Sequence, residues 1–383
     1  MPTDRRRFIS GAAGGLLAAP LIGPASPTLA ADSVTRIATE EAFATPELVK
    51  AWLEIARSQP ESSLDVPTGI LSIFDHPRAG SNQDRFRRQL LDVDVERLGE
   101  MDQAGVDMQV LSVTIPGVQM FEPAQASELA AATNDYLAAV IARHPRRYAG
   151  LACFAPQDPR RAANEMERAI HKLGLHGFIV NSHTNNLYLD DPSCAPILEA
   201  AQSLDRAIYL HPRAPSKGME GPFREYSMGG SIWGFGVEAG THAVRMILSG
   251  VFDRYPRLRV VLGHMGEGLP FWMWRLDHMA ARRAKDGRMK PLSLAPSEYF
   301  RRNFVVTTSG FESPDVLALV MKTVGIDNVM WAVDYPYARC RRIHRGCGPQ
   351  RNSACQHLSP KRRARVSDRS GLMMSVALLL FYR

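Results

Sequence analysis

From Thr35 onward the chain repeats one pattern: a short run of apolar and β-branched residues, then a longer stretch with helical periodicity, then another short run. The runs fall at 36–40, 106–113, 148–154, 176–183, 207–211, 259–264, 303–308 and 329–334. Between them, amphipathic segments at 93–103, 124–143, 160–173, 193–204, 243–251, 268–284 and 314–324 predict helices. Eight strands alternating with helices predict a (β/α)8 TIM barrel, whose reactive side chains belong at the C-terminal strand ends. An open doubly wound sheet is the alternative. It lacks support because no glycine-rich phosphate loop follows any strand.

The strand ends carry a restricted set of side chains. The eighth run reads Val329-Met330-Trp331-Ala332-Val333-Asp334 before Tyr335-Pro336, an apolar strand that emerges in a carboxylate. A buried Asp there needs a metal, a cation or a proton. The first run ends in Glu40-Glu41-Ala42, and alternation sends Glu40 to one face and Glu41 to the other. The fifth ends in Tyr209-Leu210-His211-Pro212-Arg213, where the proline fixes an extended exit. The sixth ends in Gly263-His264-Met265-Gly266-Glu267, with Glu267 placed either to orient His264 or to cap the next helix. Glu40, His211 and Asp334 form a mixed nitrogen and oxygen set that suits Zn²⁺ or Mn²⁺ with positions left open for substrate. Asn181-Ser182-His183 at the end of the fourth strand, and Thr307 to Gly310 at the end of the seventh, are further polar strand ends.

Two insertions, 45–92 and 214–240, are read as long loops after strands one and five, on the face that carries the site. The net charge of +7 is concentrated outside the barrel. Residues 338–383 hold ten Arg and Lys361 against one Asp, and the body between leader and tail is about −5, which argues against a nucleic-acid surface. Residues 1–31 predict a twin-arginine export signal: Arg5-Arg6-Arg7-Phe8-Ile9, an apolar Gly/Ala-rich run, and small residues at Ala30-Ala31. The expected location is therefore the periplasm. The barrel is expected over 35–337, and 338–383 reads as an aberrant basic tail, consistent with a shifted reading frame. Its apolar run at 372–382 is too short to span a bilayer. Of five cysteines, Cys153 and Cys194 lie in the barrel and make neither a disulfide framework nor a zinc cluster.

Taken together, Glu40-Glu41-Ala42-Phe43-Ala44, Tyr209-Leu210-His211-Pro212-Arg213, Gly263-His264-Met265-Gly266-Glu267-Gly268-Leu269-Pro270 with Trp274-Arg275, and Val333-Asp334-Tyr335-Pro336 resemble the metal-dependent amidohydrolase superfamily. The resemblance is to its nonoxidative decarboxylase branch, which includes γ-resorcylate, 2,3-dihydroxybenzoate and aminocarboxymuconate-semialdehyde decarboxylases. It implies one divalent ion held by Glu40, His211 and Asp334, with His264 near the reacting carbon and Glu267 as its partner. It further implies Arg275 as a substrate or subunit contact, a small aromatic acid as substrate, and a homodimer or homotetramer; for its decarboxylation Asp334, beside the ion, is the expected proton donor, with His264 as second choice or assistant. Many relatives have a further histidine ligand where this chain has Ala42. The competing readings are a hydrolase of a lactone or similar ring, using the same site to activate water, and an inactive binding protein.

Overall fold

Each of the eight apolar runs forms a strand: β1 (Ile37–Phe43), β2 (Met108–Val113), β3 (Tyr148–Cys153), β4 (Gly177–Asn181), β5 (Ile208–His211), β6 (Val260–Leu262), β7 (Phe304–Thr307) and β8 (Val329–Met330). This is a computed structural model describing residues 36–59 and 63–338. The strands lie in chain order in one sheet, every neighbouring pair parallel. A helix separates each strand from the next, which gives the (β/α)8 barrel expected from the alternation. The helix Pro123–Arg143 shows why these segments pack as they do. Ala126, Leu129, Ala130, Thr133, Leu137 and Val140 recur at helical spacing and are buried. On the same face, Asn134 bonds both the N–H and the carbonyl of Cys153, ending β3 against the helix rather than against water.

The barrel closes between β8 and β1 without a regular ladder. Strand eight was expected to run to 334, but its ladder stops at Met330. Other groups take the backbone beyond that point. Ala332 N–H donates to Thr308 Oγ1 at 3.1 Å, and Val333 N–H donates to a Glu41 carboxylate oxygen at 3.0 Å. Thr39 N–H donates to the Trp331 carbonyl and Ala42 N–H to the Tyr335 carbonyl. Glu41 is thus built into the seam, with Gln109 donating to its other oxygen. Burial pushes its carboxyl up to about 8. Strand six likewise stops at Leu262, two residues before its expected end, because the chain turns left-handed at His264.

The insertions are helical rather than loops. In the first, Thr45 accepts the Leu48 N–H and Pro46 opens the helix Pro46–Ser58, whose Leu48, Ala51, Trp52 and Ala56 are buried. Ser81 caps Asn82–Leu91 in the same way. In the second, a single turn Gly221–Arg224 precedes Gly234–Leu248, a helix that begins nine residues before the expected 243. A buried ion pair joins the insertions to the barrel: Arg213, just after β5, meets Asp65 at 2.7 Å, and Asp65 also accepts the Ala214 N–H. Breaking one partner of such a pair costs about 3–5 kcal/mol, because the other charge is left buried.

The leader at 1–31 and the tail from 339 lie outside the described residues. Among the described residues no helix is long and apolar enough to cross a membrane. Cys153 and Cys194 are buried and free, and burial pushes their thiols up to about 12 and about 11.

Candidate metal centre

At the C-terminal end of the barrel the chain gathers two carboxylates and two imidazoles from four strands. Glu40 projects from β1, three per cent exposed, and its Oε1 stands 3.5 Å from His211 Nε2 and 3.6 Å from His264 Nε2. Asp334 Oδ2 lies 4.0 Å from His264 Nε2. Glu40, His264 and Asp334 each offer a ligand atom within 4.8 Å of the others. The sequence reading set His211 in that third position and His264 behind it. In the structure both imidazoles face the same carboxylate oxygen.

The local backbone explains how they get there. After Leu262 five consecutive residues, His264 to Gly268, have positive φ, from 48° to 81°. For the three non-glycine members this costs roughly 1–2 kcal/mol each, and the turn is held by Gly266 N–H on the Gly263 carbonyl and His264 N–H on Ser309 Oγ. The result brings His264 Nδ1 to Glu267 Oε1 at 2.8 Å. Glu267 therefore orients the imidazole, and the following helix Leu269–Lys285 has no side-chain cap. On β5, His211 Nδ1 is fixed by the Pro212 carbonyl at 2.7 Å, which leaves Nε2 turned toward Glu40.

These residues fit a divalent ion. Glu40 Oε1 is buried and has no hydrogen-bond partner, although two imidazoles and a second carboxylate surround it. Donor atoms each about 2.1 Å from one ion stand about 3.4 Å apart in a tetrahedral set, close to the observed 3.5 and 3.6 Å. Electrostatics agree. Burial alone would raise Glu40, but His264 and His211 outweigh it and hold the carboxyl below its ordinary value. Burial would lower His264, yet Glu267 and Glu40 reverse this and carry it up to about 10. Asp334 is pushed up to about 8 by burial and then by Glu40. His211 is lowered, chiefly by burial.

The other expected site residues are distributed differently. Asn181 pairs in register with His211, so its side chain shares the inward face, and its Oδ1 is buried without a partner. The Gln119 carboxamide clamps the exit of β4, accepting Asn181 N–H and donating to the Asn181 and His183 carbonyls. His183 donates from Nε2 to the Ala214 carbonyl, leaves Nδ1 bare, and is lowered to about 3 by burial. Arg275 is exposed on its helix beside Trp272 and Trp274, and the structure does not bring it to the cluster. Tyr209 was missed as a site residue. It bonds Glu40 Oε2, and its position two residues before His211, on the same face of β5, was the available signal.

Comparison with known proteins adds a consistent picture. The family model described as amidohydrolase matches residues 83–366, running past the point where the sequence changes character. A γ-resorcylate decarboxylase from Polaromonas sp. is 36% identical over 79% of this chain and 88% of its own length. The crystal structure of 5-carboxyvanillate decarboxylase from Sphingomonas paucimobilis superposes with a TM-score of 0.80 at 44% identity, covering 91% of this chain and 99% of that one. The 5-carboxyvanillate decarboxylase of Novosphingobium aromaticivorans, solved with manganese and 4-hydroxy-3-methoxy-5-nitrobenzoic acid, gives 0.75 at 38% identity, covering 80% and 87%.

Proposed function

The chain belongs to the amidohydrolase family, and from that premise we infer that it is a metal-dependent, nonoxidative decarboxylase of a hydroxybenzoate-type acid. The observation that carries the reading is the unpartnered Glu40 Oε1 facing two imidazoles and Asp334, in a chain so similar to decarboxylases. One divalent ion, held by Glu40 and Asp334 with a histidine nitrogen, would supply Lewis acidity that fixes the carboxylate and the neighbouring phenolic oxygen in one pose. Manganese is favoured over zinc by the Novosphingobium structure.

The protein's own part is proton handling. Loss of CO₂ requires a proton on the ring carbon that bears the carboxylate; the carbon–carbon bond then breaks, its electron pair restores the aromatic ring, and CO₂ leaves. Asp334, at the barrel mouth with Oδ2 4.0 Å from His264 Nε2, is the proposed donor, taking up a proton from the phenol or solvent. His264, aligned through Nδ1 by Glu267, is the assisting acid. Asn181 Oδ1, an acceptor without a donor on the inward face, suits a phenolic O–H of the substrate, with His183 behind it.

The 44% identity to the Sphingomonas enzyme favours a methoxylated substrate of the 5-carboxyvanillate type over a dihydroxybenzoate. The test is CO₂ release by manganese-loaded protein from 5-carboxyvanillate and from 2,3-, 2,4- and 2,6-dihydroxybenzoate. Release that a chelator stops is expected, with Asp334→Asn folded but silent. Acid formation from lactones without CO₂ would replace this reading with the hydrolase. A homodimer or homotetramer is also proposed, supported by Phe271, Trp272 and Trp274, which are 49–74% exposed on one helix. A monomer by light scattering would refute it.

A further inference from the structure

Below the cluster lies a group of hydroxyls that the reaction as described does not use. Tyr209 from β5 and Thr307 from β7 both donate to one oxygen of Glu40, Oε2, with Thr307 at 2.9 Å. Ser309 stands 2.8 Å from Thr307 Oγ1 and itself accepts the His264 N–H at 3.0 Å. The proton directions follow from this. With the Thr307 proton on Glu40, Ser309 must donate to Thr307, and a chain runs from His264 N–H through Ser309 and Thr307 to Oε2. Space for the carboxylate exists because residue 263 is glycine. A Cβ there would lie 3.2 and 3.3 Å from the two Glu40 oxygens and 3.4 Å from the Tyr209 hydroxyl. The two hydroxyls that bond Glu40 thus both meet Oε2, and Oε1 has no hydrogen-bond partner.

We propose that Tyr209 and Thr307, backed by Ser309 and the bare Cα of Gly263, form a hydroxyl cradle that assigns the two oxygens of Glu40, Oε2 to the protein and Oε1 to the ion. Glu40 then serves as a single-oxygen ligand of fixed direction. The cradle also sets the spacing between Glu40 and His264, because Ser309 holds the first residue of the left-handed turn. Tyr209 and Thr307 are positioning residues that act through Glu40 and touch neither substrate nor ion. The inference rests on the metal reading of the site.

The experiment titrates Mn²⁺ into apo-protein, following free Mn²⁺ by electron paramagnetic resonance, and records the visible spectrum of the Co²⁺ form. Partners behind a metal ligand are worth about 10–100-fold in affinity, so Tyr209→Phe and Thr307→Val are each expected to raise the Mn²⁺ Kd by about that factor. Both should alter the Co²⁺ bands, because a released Glu40 can rotate or bind through both oxygens. Thr307→Ser keeps the hydroxyl and is expected to restore wild-type affinity, an outcome that loss of packing would not produce. Wild-type Kd and spectrum in folded Tyr209→Phe and Thr307→Val would overturn the cradle while leaving the metal site intact. A wild-type protein that binds no divalent ion would overturn both. Should Tyr209→Phe not fold, the Val and Ser variants at position 307 decide the matter alone.

Discussion

Two buried clusters in this barrel contain the same chemical parts, and they differ in what is left over. Behind the exit of β4, His242 accepts the Leu189 N–H at Nε2 and donates from Nδ1 to Ser182 Oγ, which donates in turn to Glu238 Oε1. The other oxygen of Glu238 takes Ser216 N–H and the Tyr188 hydroxyl. Every nitrogen and oxygen of that histidine and that glutamate is occupied. At the barrel mouth Glu40 has Oε2 saturated and Oε1 bare, with the Nε2 atoms of His211 and His264 turned toward it. The imidazoles report the difference. Burial drives His242 down to about 3, with no carboxylate on either ring nitrogen, whereas Glu267 and Glu40 overcome burial at His264 and raise it to about 10. A serine, a histidine and a glutamate in contact therefore do not make a catalytic triad here. The tautomer forced by Leu189 leaves the imidazole unable to take the Ser182 proton. Function lies where hydrogen bonding is incomplete.

The sharpest way to break this contrast is to substitute one residue in each cluster. Glu40→Gln is expected to lower kcat/KM for CO₂ release by at least about a thousandfold, since a metal's charge stabilisation is worth several kcal/mol. The melting temperature of the apo-protein should fall only modestly: the buried charge is favoured in the fold by His264 and His211, but its desolvation is relieved when it is removed. A large drop in stability with modest loss of activity would mean that Glu40 is structural.

His242→Ala should do the reverse. It strands the Leu189 N–H and disturbs Ser182, at a cost of about 3 kcal/mol from lost hydrogen bonds and packing, read as a lower denaturant midpoint. Turnover per folded molecule should stay within about twofold. Loss of turnover at full stability would place His242 in the chemistry instead.

Sequence pattern carried the barrel because its signal is local: eight apolar runs at regular spacing, each burying its own side chains. It also located Glu40, His211, His264, Glu267 and Asp334, since strand ends of such a barrel converge by construction. What was not legible depends on contacts between distant segments. The closed cluster behind β4, a knot of hydrogen bonds, draws on positions 182, 188, 189, 216, 238 and 242, which share no spacing; of the nearby histidines, the sequence singled out His183 rather than His242. The end of β8 was misplaced because Thr308 and Glu41 side chains, not a neighbouring strand, take its N–H groups. The helices of the first insertion were legible in principle, from Thr45-Pro46 and Ser81, but prolines and glycines nearby favoured a loop.

The smallest effect concerns pH and comes from the closed cluster. Burial raises the Glu238 carboxyl above its ordinary value of 4.5, against the hydrogen bonds from Ser216, Ser182 and Tyr188 that lower it. The folded protein therefore holds this proton more tightly than the unfolded chain does. Between 4.5 and the raised folded value the native state binds more protons, so this group's contribution is complete below pH 4.5 and is lost as pH rises through the folded value. Glu238→Gln keeps an oxygen for Ser216 and Tyr188 and an amide N–H for Ser182, and it does not titrate. Its stability relative to the wild type, read as urea midpoints, should improve as pH rises above about 4.5 and level off once the folded value is passed. Parallel curves for the two proteins would show that Glu238 ionises alike in the folded and unfolded chains, and the knot would then hold an ordinary carboxylate, no more perturbed by its closed surroundings than one in water.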